Sequence, residues 1–261
     1  MAVDTLSKAF WRSVEQQGEK PALLVKREKQ YRPITYTELG RRVYALARAL
    51  HELGVRKGDR VAILAENCPE WAITDWATLC LGAITVPIYP TLTAPQVGEI
   101  LRDSEPKALV VSDKKQRRKA CEAVEGTGLN PQMICIEPDS SSETPNFEQM
   151  LNQPGTLTES ALRALVEASQ PEDIVTFIYT SGTTGEPKGA MLTHHNLITK
   201  IAGNWKMHLT PSQGAARWAA RSPLHAARLR LAGACRAQYT RCARSPTPRL
   251  RLPTQASALR P

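Results

Sequence analysis

GDRVAILAENCPEWAITDWATLCLGAITVPIYPTLTAPQVGEILRDSEPKALVVSD, residues 58–113, is the stretch whose reading decides the fold. It contains three short aliphatic runs: RVAILA (60–65), ITVPIY (84–89) and KALVVSD (107–113). Two stretches of helical character separate them, one from about Pro69 to Leu81 with Gly82 placed to end it, the other near Pro95–Arg102. Strands that are continuously aliphatic, rather than alternating, are buried on both faces, and strands separated by helices pair in parallel. The segment therefore predicts an α/β protein with a Rossmann-like parallel sheet and helices on both faces.

The pattern extends in both directions. Upstream, Thr35 and Glu38 have the spacing of a capping box, with Thr35 as N-cap. Leu39, Val43, Leu46, Leu50 and Leu53 recur behind it at intervals of four and three, which marks one helix face, and Gly54 is placed to end the helix. Downstream come a charged helix, KKQRRKACEAVEG (114–126), and the strand QMICIE (132–137). Residues 137–160 are polar and rich in Pro and Ser, so they read as a surface excursion with one helical turn. A helix over Glu159–Ala168 then leads into the strand DIVTFIYT (173–180). The run KKQRRK (114–119) reads as a solvated helix face rather than a nucleic-acid site.

Composition divides the chain near residue 212. Residues 212–261 hold ten Arg, no Lys, no Asp and no Glu, whereas the 24 basic and 25 acidic residues of 1–211 nearly cancel. The formal net charge of +9 thus comes from the last segment alone. That segment also lacks Val, Ile, Phe, Met and Asn, and Pro246, Pro248 and Pro253 punctuate it. It reads either as a basic arm or as translation of a GC-rich gene in a shifted frame. A selected basic arm would mix in Lys and has no reason to exclude every β-branched aliphatic, so the second reading is preferred. Residues 1–211 form the folded body, and 212–261 are expected to be disordered or out of frame.

The six cysteines, Cys68, Cys80, Cys121, Cys135, Cys235 and Cys242, form no CxxC pair. They read as reduced thiols of a cytoplasmic protein, without a zinc site. The opening MAVDTLSKAFW has no apolar h-region of a signal peptide. The longest apolar stretch, Leu79 to Tyr89, falls far short of the roughly 20 residues of a membrane helix. A peripheral contact with a membrane is compatible with this reading, and no nucleic-acid partner is expected.

The chemistry lies in YTSGTTGEPKGAMLTHHNL, residues 179–197. A buried strand ends and a loop of small and hydroxylated residues begins. Gly182 and Gly185 allow backbone angles closed to other residues and let main-chain N–H groups converge on an anion. Thr180, Ser181, Thr183 and Thr184 add hydroxyl donors, Lys188 adds a full positive charge, and Pro187 stiffens the approach to it. The set suits a polyphosphate. A Walker A loop fits badly. Lys188 is followed by Gly189 rather than Ser or Thr, and GAMLT reads as a strand, with the next helix starting near Thr193–Asn196. A Walker loop instead runs directly into its helix.

This loop resembles the signature of the adenylate-forming superfamily: acyl-CoA synthetases, nonribosomal adenylation domains and luciferases. The resemblance covers about residues 1–211. The segment 58–113 resembles the first Rossmann-like subdomain of long-chain fatty acyl-CoA ligases, and MLTHHNL and VPIYPTL lean the same way. The resemblance implies two half-reactions. A carboxylate attacks the α-phosphate of ATP to give acyl-adenylate and pyrophosphate, and coenzyme A then displaces AMP as a thioester. It implies that Thr180, Ser181, Gly182, Thr183, Thr184, Gly185 and Lys188 hold the β- and γ-phosphates. Magnesium would bridge those phosphates, with no protein metal ligand assigned, and Lys188 would balance charge on the leaving pyrophosphate.

Glu66, Asn67, Glu70 and Trp71 follow a strand end, where open α/β sheets place ligands, but packing and capping explain them better. In the family the region of His194, His195 and Asn196 lies beside the active site, although Asn196 reads equally well as a helix cap. Trp205, Met207 and Leu209 read as core. The family's adenine-binding aromatic segment, ribose-binding Asp and C-terminal lysine lie beyond the position of residue 211. The chain taken alone is therefore expected to be an inactive N-terminal part of the adenylation domain. Two alternatives stay open: a non-catalytic phosphate- or nucleotide-binding fragment with a basic tail, and an aryl- or amino-acid-activating member of the superfamily.

Overall fold

The computed structural model describes residues 4–27, 30–138, 143–181 and 187–200. Helix α1 (Leu6–Gln17) is followed by an antiparallel hairpin, β1 (Pro21–Arg27) and β2 (Gln30–Thr35), that stands apart from the main sheet. Then come α2 (Tyr36–Glu52), β3 (Arg60–Leu64), α3 (Pro69–Cys80), β4 (Ile84–Ile88), α4 (Ala94–Ser104), β5 (Ala108–Val111), α5 (Lys114–Val124) and β6 (Gln132–Cys135). Helices α6 (Phe147–Asn152) and α7 (Glu159–Glu167) lead to β7 (Ile174–Ser181) and β8 (Pro187–Thr193). Within the described residues the main sheet has the order β6-β5-β3-β4-β7-β8. Its first five strands are parallel, as expected, and β8 returns antiparallel to β7.

The helices cover two faces because the strands are apolar on both. Val61, Ala108, Val110, Ile134 and Val175 point into a core shared with α1, α2, α3, α6 and α7. Ala62, Leu64, Val86, Leu109, Val111 and Cys135 point into a second core under α4 and α5. This is the period-two alternation of a strand whose sides are both buried.

The ends of α2 follow local chemistry. The Thr35 hydroxyl accepts from the Glu38 N–H at 3.2 Å, and Gly54 takes φ +83 just past the helix, as its sequence position predicts. The other half of the expected capping box is diverted. The Glu38 carboxylate receives Arg41 at 2.9 Å and Arg42 at 2.6 Å instead, and Arg41 first, then Arg42, holds its pKa down to about 2 against the cost of burial.

Sequence reasoning passed over α1, which closes the first core. Phe10 stacks on Trp76 at 4.7 Å, and Arg163 lies 4.0 Å over the Trp11 ring. The start of α1 is tied to the far end of the chain's described part. The Leu6 N–H donates to His194 Nδ1 at 3.0 Å across 188 residues of sequence. Beside this bond the hydroxyls of Thr5, Ser7 and Ser169 lie 2.8–3.4 Å from one another, all buried. His194 is 2 % exposed, and its neutral ring carries its proton on Nε2. Burial pushes its pKa down to about 4, although the Asp173 and Asp4 carboxylates pull the other way, while Lys8 and Lys57 add to the depression.

The unfolded chain binds a proton at His194 near pH 6.5, and the folded chain not until about 4. Acid therefore favours unfolding across that window, and the full effect is about 3 kcal/mol. Denaturant midpoints should hold steady above pH 7 and fall steadily between pH 6.5 and 4. His194→Asn should flatten that slope, and a slope unchanged by the substitution would assign the acid sensitivity elsewhere.

Candidate functional site

Because β3, β4, β5, β6 and β7 run parallel, their carboxyl ends share one edge of the sheet. That edge carries Glu66 and Asn67 after β3, Tyr89 and Pro90 after β4, Ser112 and Asp113 after β5, and the chain leaving Ser181 after β7. Open α/β sheets bind ligands at such an edge. The Gly/Thr-rich connection between β7 and β8 arises there.

Strands β7 and β8 hold the two roots of this connection in register. Thr180 stands opposite Lys188, and Ser181 opposite Pro187, leaving residues 182–186 to join them. Thr180 is half-buried and Lys188 exposed. Gly182, Thr183, Thr184 and Gly185 lie outside the described residues. The expectation that GAMLT forms a strand holds, and it separates this site from a Walker loop. Lys188 sits in β8, and the next helix begins only after Thr193. That helix opens on a reciprocal cap: Asn196 Oδ1 accepts from the Thr193 N–H at 3.0 Å, and the Asn196 N–H donates to Thr193 Oγ1 at 3.2 Å. Asn196 is thus a cap residue.

The histidines sit elsewhere. Strand β8 runs away from the loop for seven residues, about 20 Å at strand rise, before His194. His194 is buried against α1, and the exposed His195 donates its N–H to the Pro171 carbonyl at 2.8 Å. At the start of α3, Cys68 rather than Asn67 is the N-cap, and Pro69 takes the first helical position. Glu66 and Asn67 are exposed, while Glu70 and Trp71 are half-buried in the first turn of α3. Burial pushes the Cys68 thiol up to about 12, so it is no nucleophile.

Gly189 has a structural reason that the motif alone does not disclose. It pairs with Tyr179 across the strands, and a Cβ at Gly189 would meet the Tyr179 ring at 3.0–3.2 Å. The Tyr179 hydroxyl donates to Asp103 Oδ2 on α4 at 2.6 Å. Burial first, and then the Asp103 carboxylate, raise the phenol's pKa, so it remains a donor across the physiological range. The ring is thereby tethered, and glycine is the residue that lets β8 close on it. Strand alternation places Thr180 and Lys188 on the opposite face of the pair.

Gly189→Ala should therefore destabilise the fold by about 1–2 kcal/mol through overpacking. Tyr179→Phe should cost about 1 kcal/mol through the lost hydrogen bond. The two should be non-additive, because a ring released from Asp103 can move aside for the new methyl. Additive denaturation free energies in the double variant would show that the tether does not hold the ring.

Four likenesses to known proteins bear on the site. A family model described as AMP-binding enzyme matches residues 10–229. The long-chain-fatty-acid–CoA ligase FadD15 of Mycobacterium bovis is 38% identical over 178 residues, which is 68% of this chain and 29% of that protein. The chain therefore spans less than a third of the length of that relative. Among solved structures, a long-chain-fatty-acid CoA ligase from Rhodopseudomonas palustris superposes with a TM-score of 0.65 at 24% identity, covering 78% of this chain and 48% of that one. The anthranilate CoA ligase AuaEII, solved with anthranoyl-AMP, superposes with a TM-score of 0.64 at 26% identity, covering 76% of this chain and 36% of that one. A family model over most of its length, together with a relative of this similarity over two thirds of it, makes the chain a member of the AMP-binding enzyme family.

Proposed function

We propose that this chain supplies the phosphate-gripping part of an enzyme that activates a long-chain fatty acid with ATP and passes the acyl group to coenzyme A. The observation that carries the reading is the β7–β8 pair. It holds Thr180 and Lys188 opposite each other at the carboxyl edge, with a short connection of Gly and Thr between them. The carboxylate attack on ATP brings two anions together and releases a third, so its catalysis is chiefly positioning and charge stabilisation. Thr180, Ser181, Thr183 and Thr184 would donate hydroxyl hydrogens to the β- and γ-phosphate oxygens, and Gly182 and Gly185 would let main-chain N–H groups join them. Lys188 would set its ammonium against the leaving pyrophosphate.

The described residues contain no cluster of three His, Cys, Asp or Glu side chains able to hold a metal. Magnesium would be carried on the nucleotide's phosphates, where it would neutralise their charge. The fatty-acid specificity rests on the likeness to FadD15, and the likeness to AuaEII supports an acyl-adenylate intermediate. The scattered cysteines, with no CxxC pair, are the ground for a cytoplasmic setting; no helix among the described residues is long and apolar enough to cross a membrane.

In the intact enzyme that contains this segment, Lys188→Ala should lower fatty-acid-dependent ATP–pyrophosphate exchange by about 10²-fold, as loss of one strong electrostatic group does. The chain by itself should bind MgATP through its phosphates without turning it over. Exchange unaltered in the Lys188 variant would remove the assigned role.

A further inference from the structure

Helix α5 carries five cations in six positions, Lys114, Lys115, Arg117, Arg118 and Lys119, all at its N-terminal end. The helix has no acidic residue in its first turn and no basic one in its last, and its carboxylates, Glu122 and Glu125, lie at the other end. The N-cap Asp113 places one carboxylate at the N-terminus, accepting from the Gln116 N–H at 2.9 Å, but the cations crowded behind it and the carboxylates at the far end run against the helix dipole, which favours anions at the N-terminus and cations at the C-terminus. A sequence that breaks a local rule without a packing gain points to a demand outside the fold. For three of the five cations packing provides none: Gln116, Ala120 and Ala123 form the buried face, whereas Lys114, Lys115 and Arg118 are exposed and make no ion pair among the described residues.

The basic turn does not stand alone. Lys119 Nζ donates to the Pro90 carbonyl at 2.5 Å, and Gln116 Nε2 reaches the same oxygen at 3.4 Å. These bonds fasten the cationic end of α5 to the turn after β4, where Tyr89 is 53 % exposed. A large amphipathic ring and the helix end bearing three solvated cations therefore lie on one edge of the sheet, the edge from which the β7–β8 connection also arises. Tyr is the residue type that settles at the headgroup level of a bilayer, and clustered Lys and Arg are what anionic headgroups attract.

We propose that this surface docks the protein on an anionic lipid bilayer, with α5 against the headgroups and Tyr89 inserted among them. A bilayer is favoured over a nucleic acid because the edge bearing the patch is also the edge assigned to acyl activation, whose substrate resides in membranes. In that respect the inference rests on the proposed function. Docking itself is measured without catalysis, so either reading can fail while the other stands.

The test is partition of the full chain onto vesicles of phosphatidylcholine alone and of phosphatidylcholine mixed with phosphatidylglycerol. Binding should require the anionic lipid and weaken with salt. The variant Lys114→Ala/Lys115→Ala/Arg118→Ala should lose on the order of a hundredfold in partition, since each cation near such a surface contributes about fivefold. Its thermal midpoint should be unchanged or higher, because the substitutions relieve the clash with the helix dipole, and its MgATP binding should be unchanged. Tyr89→Ala should lose several-fold in a manner insensitive to salt. Partition unaffected by the triple substitution would overturn the proposal and assign the binding to another surface, such as the Arg-rich residues 212–261. Loss of binding to a DNA duplex with vesicle binding intact would overturn it in favour of a nucleic-acid face.

Discussion

The ring of Tyr179 lies across Gly189, and the arrangement of the carboxyl edge depends on that contact. With its hydroxyl fixed to Asp103 on α4, the ring anchors β7 to the helix that covers it, and it leaves room for β8 only where β8 has no side chain. The closure that follows sets Thr180 against Lys188. A strand pair with a tethered aromatic over a cross-strand glycine gives the glycine-containing connection two fixed roots. That is what an electrostatic site needs, because dipoles aimed in advance need no reorganisation when charge develops.

The far end of β8 is held in a different way. There His194 accepts a hydrogen bond from the first turn of α1, within a pocket of buried hydroxyls from Thr5, Ser7 and Ser169. Leu6 with His194, and Thr5 and Ser7 with Ser169, bond across more than 160 residues of sequence, so the N-terminal helix and the end of the signature motif are stabilised together. Low dielectric makes such a network strong while it is complete and costly once one member changes charge. The two ends of one strand thus serve separate purposes, the proposed anion binding at one and closure of the fold at the other.

Much of this was readable beforehand, and particular residues explain why. The runs 60–65, 84–89 and 107–113 are buried on both sides, so their continuous hydrophobicity is a direct imprint of the parallel sheet. The apolar face of α2 and its glycine stop were equally plain. The hairpin β1–β2 was not, because β2 buries none of its side chains and shows no alternation. Helix α1 escaped notice because Leu6, Phe10 and Trp11 make too brief a stripe to stand out before their partners Trp76 and Arg163 are known. Strand order and the antiparallel return of β8 are properties of long-range pairing, which leaves no local period. The motif's hydroxyls, glycines and lysine suggest an anion; the place of its histidines at the opposite end of β8 follows from strand length and direction, which the motif alone does not disclose.

The proposed site holds a nucleotide by its phosphates at the β7–β8 connection. Amide hydrogen exchange across residues 178–190, compared with and without MgATP, measures it most directly. The account predicts slowed exchange at the amides between Thr180 and Gly189 with MgATP, and no slowing with adenosine, which lacks the phosphates. Exchange in that segment indifferent to MgATP, or slowed equally by adenosine, would contradict it.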